Sequence, residues 1–245
     1  MRNIKLTLSF DGTDFSGYQI QANAHTIEAE IKNSLAHITK EDISIVGCGR
    51  TDSGVHAYKY IINFKTNSNI SLEKFPLAIN GNINKAIVVE KAEECDMDFH
   101  ARFCVLEKTY VYRILNSKTN IPFERLYTYK YGGELDCEKM SKACEKFVGT
   151  HDFTSHKSLG TETKDSIRTI YYCNLERKDD IIEISITANG FLYNMARTIA
   201  GTILECGKGK IEPCDIEKII ESKDRRKAGA TLPAHGLFMK EIKYK

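Results

Sequence analysis

Chemistry is most concentrated in Gly47-Cys48-Gly49-Arg50-Thr51-Asp52-Ser53-Gly54, a stretch with three glycines in eight residues. It follows Ile43–Val46, which reads as a short buried strand. An acidic side chain in such a turn is held by rigid backbone at a surface, and glycines there permit close approach of a ligand. Arg50 stands two residues before Asp52 and His56 four after it. The plain alternative is a turn aspartate bonding its own backbone. Asp52-Ser53-Gly54 also matches the Asp-Ser/Thr-Gly signature of aspartic proteases. Those enzymes need two carboxylates sharing one proton in apolar surroundings. Here Arg50 and Thr51 precede the aspartate, and an arginine favours the ionised form. A second Asp-Ser-Gly is missing, because Asp165-Ser166 is followed by Ile167.

Arg197 is the only charged residue between Ile184 and Leu204, in a chain that is 28% charged. At 100° per residue, Phe191, Leu192, Met195, Ile199 and Ile203 cover one helical face. Arg197 falls off that stripe, near Asn194 and Gly201. A small-residue surface beside a lone arginine suits close approach of another backbone or a ligand. Tyr110 lies in an alternating strand close to Lys108 and Arg113; propensity alone makes it a sheet-packing tyrosine. Basic residues thicken along the chain: 11 Lys and Arg stand against 13 Asp and Glu in residues 1–104, and 24 against 20 in residues 105–245. Lys157, Lys164 and Arg168 flank a Ser/Thr-rich loop, and Lys223, Arg225, Arg226 and Lys227 form a second patch. A charge run is ordinarily a solvated face; these two clusters are also candidate phosphate contacts.

The elements that must carry these residues alternate between strand and helix periods. Strand signals run over Ile4–Phe10, Tyr58–Phe64, Ile87–Lys91, Tyr110–Leu115, Tyr127–Tyr131, Ile170–Glu176, Ile181–Thr187 and Leu237–Ile242. Helices are expected over Thr26–His37, Leu72–Ala78, Cys137–Val148, Phe191–Cys206 and Pro213–Ser222. Hairpin pairing with interspersed helices predicts an α+β fold with largely antiparallel sheet. The chain divides into two architecturally similar halves near Cys104–Glu107, giving domains 1–104 and 105–245, with no residue-level repeat. A length of 245 residues with 42% hydrophobic content reads as soluble and globular. The net charge of +2 does not by itself announce a nucleic-acid binder. The eight cysteines form no Cys-x-x-Cys pair and no zinc spacing with histidine, so they read as small, mostly buried hydrophobes. Without a secretory segment the reading is cytoplasmic. The weakly charged Ile184–Leu204 stretch is interrupted by Asn189, Gly190, Asn194 and Arg197 and is not a membrane helix.

Five segments, in order, resemble the tRNA pseudouridine synthase A family. Gly49-Arg50-Thr51-Asp52-Ser53-Gly54-Val55-His56 is similar to its signature. Phe10-Asp11-Gly12-Thr13-Asp14-Phe15-Ser16-Gly17-Tyr18-Gln19-Ile20-Gln21 resembles its opening motif, with Tyr18 where a tryptophan is usual. Asp98–Phe103 with Lys108–Arg113 resembles the central motif, and His151–Ser155 and Ala188–Arg197 resemble the two later ones. The resemblance covers nearly the whole chain.

The resemblance implies two α+β domains with mostly antiparallel mixed sheets flanked by helices, and an active-site cleft between them. It implies an isomerase without metal or cofactor that turns uridine into pseudouridine in the anticodon stem-loop of tRNAs (family positions 38, 39 and 40), working as a homodimer. By the same resemblance Asp52 is the nucleophile, Arg197 its arginine partner, and Tyr110 the aromatic that stacks on the target base. Arg50 corresponds to the arginine that enters the RNA and holds the base flipped. Asp11 and His56 read as supporting residues. Covalent catalysis by a carboxylate requires the ionised form, which a neighbouring arginine favours. Substrate contacts are expected from Tyr110, Arg50, Lys157, Lys164, Arg168, Arg225 and Arg226. The competing readings are an RNA-binding module without catalysis and, remotely, the aspartic protease. A mere binder gains nothing from a carboxylate near phosphates.

Overall fold

The computed structural model describes residues 1–158 and 165–245. Two compact units emerge: Met1–Leu106 together with Phe238–Lys245, and Glu107–Leu237.

In the first unit, β1 (Arg2–Phe10) lies between β3 (His56–Thr66) and β4 (Ile87–Cys95), antiparallel to both. The register sets Ile4, Leu6 and Leu8 opposite Phe64, Ile62 and Tyr60. All six are fully buried or nearly so; β1 follows the period-two pattern of a strand with one covered face, whereas on β3 Ile61 and Asn63 are buried as well. Helix α1 (Ile27–Thr39) buries Ile27, Ile31 and Leu35 from one face, and α2 (Lys74–Asn82) buries Phe75 and Ile79. Each such side chain contributes roughly 1.5–3 kcal/mol by leaving water. Thr26 starts α1 by accepting from the Ala29 amide, and Lys40 ends it in the left-handed conformation. The other edge of β3 takes β2 (Ile45–Gly47), antiparallel, and then the closing strand (Leu237–Tyr244), parallel at Phe238↔His56 and Met239↔Ala57. That pairing is why the chain's end groups with its first 106 residues.

In the second unit, β5 (Val105–Asn116), β9 (Ile181–Ala188), β8 (Ile167–Lys178) and β7 (Gly149–Asp152) form successive antiparallel neighbours. The short β6 (Tyr129–Tyr131) pairs in parallel with the end of β5, at Ile114, Leu115 and Asn116. The hairpin between β8 and β9 turns at Asp179, whose φ of 53° is left-handed, a conformation that Asp tolerates better than most. Helix α3 (Cys137–Lys146) packs on β8 and on α4 (Met195–Gly207), with Met140, Ala143, Cys144 and Phe147 buried. Helix α5 (Ile216–Glu221) follows a 3-10 turn over Pro213–Asp215.

These pairings make the fold α+β and mostly antiparallel. Three expectations shift. The helix expected from Phe191 begins only at Met195, because Asn194 takes a left-handed φ of 61° and Tyr193 and Asn194 form a turn closed by the Met195 amide on the Leu192 carbonyl. The Pro213–Ser222 helix splits into the 3-10 turn and α5. The cysteines are less uniformly buried than their type suggests: Cys48, Cys144, Cys173 and Cys206 are inside, Cys95, Cys104 and Cys137 are half-buried and Cys214 is exposed, all as free thiols. Among the described residues no helix is long and apolar enough to cross a membrane, and no group of three or more His, Cys, Asp or Glu could hold a metal ion.

Candidate active site

Asp52 sits in the loop between β2 and β3, half-buried, with Thr51 buried before it and Ser53 exposed after it. The loop leaves the sheet through Cys48, whose amide donates to the Ile61 carbonyl at 2.9 Å. Tyr60 then reaches back from β3 and donates its hydroxyl to the Gly49 carbonyl. Beyond Asp52, the Val55 amide closes a turn onto the Asp52 carbonyl at 3.1 Å, with Gly54 at a φ of +78°. Both flanks of the carboxylate are therefore tied down within the unit.

A second loop, residues 11–18, lies directly against the first. Tyr18 donates its amide to the Thr51 carbonyl at 3.1 Å, and Ser53 Oγ donates to the Phe15 carbonyl at 3.1 Å. Two glycines make this approach possible. A Cβ on Gly12 would stand 2.0 Å from the Val55 oxygen, and one on Gly17, at a φ of +90°, would stand 2.6 Å from the Thr51 oxygen. The second loop is itself fastened to the start of α1, where Ile27 and Glu28 donate to the carbonyls of Gly17 and Tyr18. Tyr18 stacks on Tyr60 with centroids 4.6 Å apart, and burial raises its phenol well above the ordinary range. His56 is buried: its Nδ1 accepts from the Gly12 amide at 3.1 Å and lies 3.0 Å from Asp11 Oδ1, while its ring stacks on Phe238. Asp11 and His56 thus support the loop from behind. Arg50 is exposed.

In the second unit, Tyr110 stands on β5 opposite Ile186 of β9 and packs edge-on against Phe191, centroids 4.8 Å apart. Arg197 lies in the first turn of α4. Its Nη1 donates to Asn194 Oδ1 at 2.8 Å and its Nε to the Leu232 carbonyl at 2.6 Å, and the Leu232 amide returns to the Arg197 carbonyl at 3.4 Å. Asn194 is held in turn by its own Nδ2, which donates to Ser158 Oγ at 2.6 Å. The small-residue face beside Arg197 is covered by backbone: a Cβ on Gly201 would lie 1.9 Å from the Ala230 oxygen. Tyr112, next along the sheet, donates its hydroxyl to the Pro233 carbonyl at 2.8 Å. Burial drives its phenol upward against the opposing charge of Arg197.

Other basic positions divide by environment. Lys157 reaches Ser166 Oγ at 2.8 Å, and Arg168 Nη1 donates to the Ile167 carbonyl at 2.5 Å beside Gly190. Arg226 is exposed, its guanidinium lying two-pronged on Asp224, which it draws down to about 2. Lys223 pairs with Asp152 at 2.8 Å, and Lys227 is exposed. Arg225 turns inward, with Nη1 2.8 Å from the Gly229 carbonyl and Nη2 2.9 Å from Thr231 Oγ1. Lys164 lies outside the described residues. The segment Ala228–Pro233, which receives Arg197, has no periodicity and only small or apolar residues. Its one visible signal was that a run lacking any strand or helix pattern precedes the closing strand.

The family model described as tRNA pseudouridine synthase matches residues 7–104 and 143–245, so both the aspartate loop and α4 fall inside it. The chain belongs to the tRNA pseudouridine synthase family. Among relatives, the tRNA pseudouridine synthase A of Clostridium acetobutylicum is 47% identical over 244 residues, and that of Caldicellulosiruptor saccharolyticus 49% identical over 244 residues. A protein of Clostridium perfringens called tRNA pseudouridine synthase A 2 is 45% identical over 244 residues. In all three cases the match covers 100% of both chains. Membership in the pseudouridine synthase family leaves no ground for a protease reading of Asp52-Ser53-Gly54.

Proposed function

We propose that this pseudouridine synthase isomerises uridine to pseudouridine in the anticodon stem-loop of tRNAs, at positions 38, 39 and 40, and that it acts as a homodimer in the cytoplasm. The observation that carries the reading is Asp52, an acidic side chain on a loop whose backbone is fixed on both flanks and backed by residues 11–18. The reaction breaks the bond between ribose C1′ and uracil N1, turns the base, and joins C1′ to C5. C5 gives up its proton and N1 takes one, so atoms balance within one nucleotide and no redox partner or acceptor enters.

In this reading Asp52 is the nucleophile, and rigidity keeps its carboxylate in reach of the reacting carbon. Arg197 supplies the guanidinium that holds the aspartate ionised and oriented. Tyr110 offers a face to the extruded base and stands ready to take the C5 proton. An aromatic platform offsets part of the cost of unstacking. Arg50 enters the RNA as the base leaves its stack. Lys157, Lys164, Arg168 and Arg226 contact phosphates.

Asp52→Asn tests this directly. The amide keeps the shape of the side chain and removes its nucleophilicity, so tRNA binding and thermal unfolding stay at wild-type values. Pseudouridine formation, read as tritium released from C5-labelled tRNA, falls by roughly a thousandfold or more. An amide variant turning over near the wild-type rate ends the nucleophile assignment.

A further inference from the structure

Arg225 is one of four basic residues within 223–227, yet its side chain points away from the role that patch suggests. Its Nη1 donates to the carbonyls of Gly229 at 2.8 Å and Ala228 at 3.4 Å, and its Nη2 donates to Thr231 Oγ1 at 2.9 Å. Three acceptors on one short segment are thereby gathered by one planar guanidinium. The same segment is locked to α4 on its other side. Thr231 Oγ1 meets Thr198 Oγ1 at 3.1 Å, one residue beyond Arg197. The Gly229 amide donates to Thr202 Oγ1 at 2.9 Å, and Gly229 lies so close to Gly201 that a Cβ there would meet the Gly201 carbonyl carbon at 2.4 Å. Behind Thr202 stands His156, wholly buried, with Nε2 3.3 Å from Thr202 Oγ1 and Nδ1 2.9 Å from Ser155 Oγ. The next residue after Thr231 is Leu232, whose carbonyl accepts from Arg197 Nε at 2.6 Å.

We propose that Arg225 is a positioning residue for Arg197: by gathering Ala228, Gly229 and Thr231 it fixes the Leu232 carbonyl, and that carbonyl sets the direction of the Arg197 guanidinium. This rests on the role given above to Arg197. A guanidinium held at Nη1 by Asn194 Oδ1 and at Nε by Leu232 O cannot rotate freely, so its plane keeps a fixed heading. A lysine at 225 keeps the charge but cannot span the Gly229 carbonyl and Thr231 hydroxyl with the same planar fork. The segment then loosens and the error passes to Arg197.

The test compares Arg225→Lys, Thr231→Val and Arg197→Lys as full-length proteins, with the double variant Arg225→Lys/Arg197→Lys. Thr231→Val changes no charge and nearly no volume, so it reports on the network should the lysine variant fold poorly. For each, the single-turnover rate at saturating tRNA, the tRNA Kd with its salt dependence, and Tm are measured. Arg225→Lys should lose roughly tenfold in rate, since small misplacements of reacting groups carry penalties of at least that size. Its Kd and salt slope should stay at wild-type values. Thr231→Val should lose rate in the same direction. The double variant should be little slower than Arg197→Lys alone, because both act through one guanidinium. A weaker Kd and a flatter salt slope with the saturated rate unchanged would make Arg225 a phosphate contact and overturn the proposal. A lower Tm with an unchanged rate would make it a structural clamp only, and also overturn it. If Arg197→Lys is slow while Arg225→Lys and Thr231→Val are not, this inference alone fails. If Arg197→Lys itself reacts at the wild-type rate, the reading of Arg197 fails and takes this one with it.

Discussion

The aspartate loop and the arginine turn solve one problem, holding a charged side chain still, by different means. Around Asp52 the restraint comes mainly from backbone: glycines 12 and 17 let one loop lie on another, and main-chain amides and carbonyls join them. Around Arg197 it comes from a chain of side chains and carbonyls drawn from residues 156, 194, 198, 202, 225 and 231, ending on Leu232. A backbone brace tolerates exchange of most side chains but no added Cβ at its closest points. A side-chain network tolerates little exchange at its members, because each donor or acceptor left over is buried or part-buried. The first region should break at its glycines, and the second at its polar side chains as well as where Gly201 meets the Ala230 carbonyl.

The largest effect expected from breaking this contrast is at Arg197. Arg197→Lys preserves the charge but not the two-pronged donor geometry, and should slow single-turnover pseudouridine formation by on the order of 100-fold, with tRNA affinity near wild type. A rate within about threefold of wild type would show that orientation is not what Arg197 supplies.

Next come the glycines. Gly12→Ala meets the Val55 carbonyl, and Gly201→Ala meets the Ala230 carbonyl, both at distances a real Cβ does not adopt. Each should cost about 1–3 kcal/mol in stability, measured by urea unfolding. Both braces rest on backbone at these two points, so equal costs are expected. A harmless Gly12→Ala would mean that the 11–18 loop is not bracing the aspartate loop.

A smaller, pH-dependent effect tests the buried end of the arginine network. Burial, assisted by the charge of Arg225, pushes His156 down to about 3 from an ordinary 6.5. The unfolded chain therefore takes up a proton that the folded one refuses. Stability from this neutral ring is complete above pH 6.5 and is lost progressively as the pH falls from there toward 3. His156→Gln should unfold more easily at pH 7.5, and its stability should decline less steeply than wild type between pH 6.5 and 5. Parallel curves would remove His156 from the acid limb.

The smallest effect is on the surface. Arg226→Gln with Lys227→Gln should leave the saturated rate intact, weaken tRNA binding, and flatten the slope of log K against log salt by about one unit for each phosphate no longer neutralised. An unchanged slope would make this turn a solvated face.

The aspartate loop was legible in sequence because everything that defines it is local: glycine spacing, Arg50, and a strand on each side. Strand β1 was legible for a similar reason, since its alternation says which residues face inward; β3 departs from the half-buried pattern expected of it, because Tyr60, Ile61, Ile62, Asn63 and Phe64 are all buried. Arg225 and Arg226 show where such reading stops. They are adjacent and of one type, yet one gathers the segment behind Arg197 and the other points outward onto Asp224. The start of α4 moved by four residues because Asn194 adopts a left-handed turn, in which its side chain can serve both Ser158 and Arg197.

Composition, periodicity and motif order by themselves determined the α+β class, the aspartate loop, and the lone arginine beside a small-residue face. Only the tertiary structure decided that this face is covered by residues 228–232, that Arg225 is spent inside the unit, and that the closing strand joins β3 in parallel beside His56. The physical reason is sequence separation. Hydrophobic period and turn chemistry are set by neighbours within a few residues, whereas a carbonyl 35 positions away becomes a partner for Arg197 only after both helix and segment have been packed.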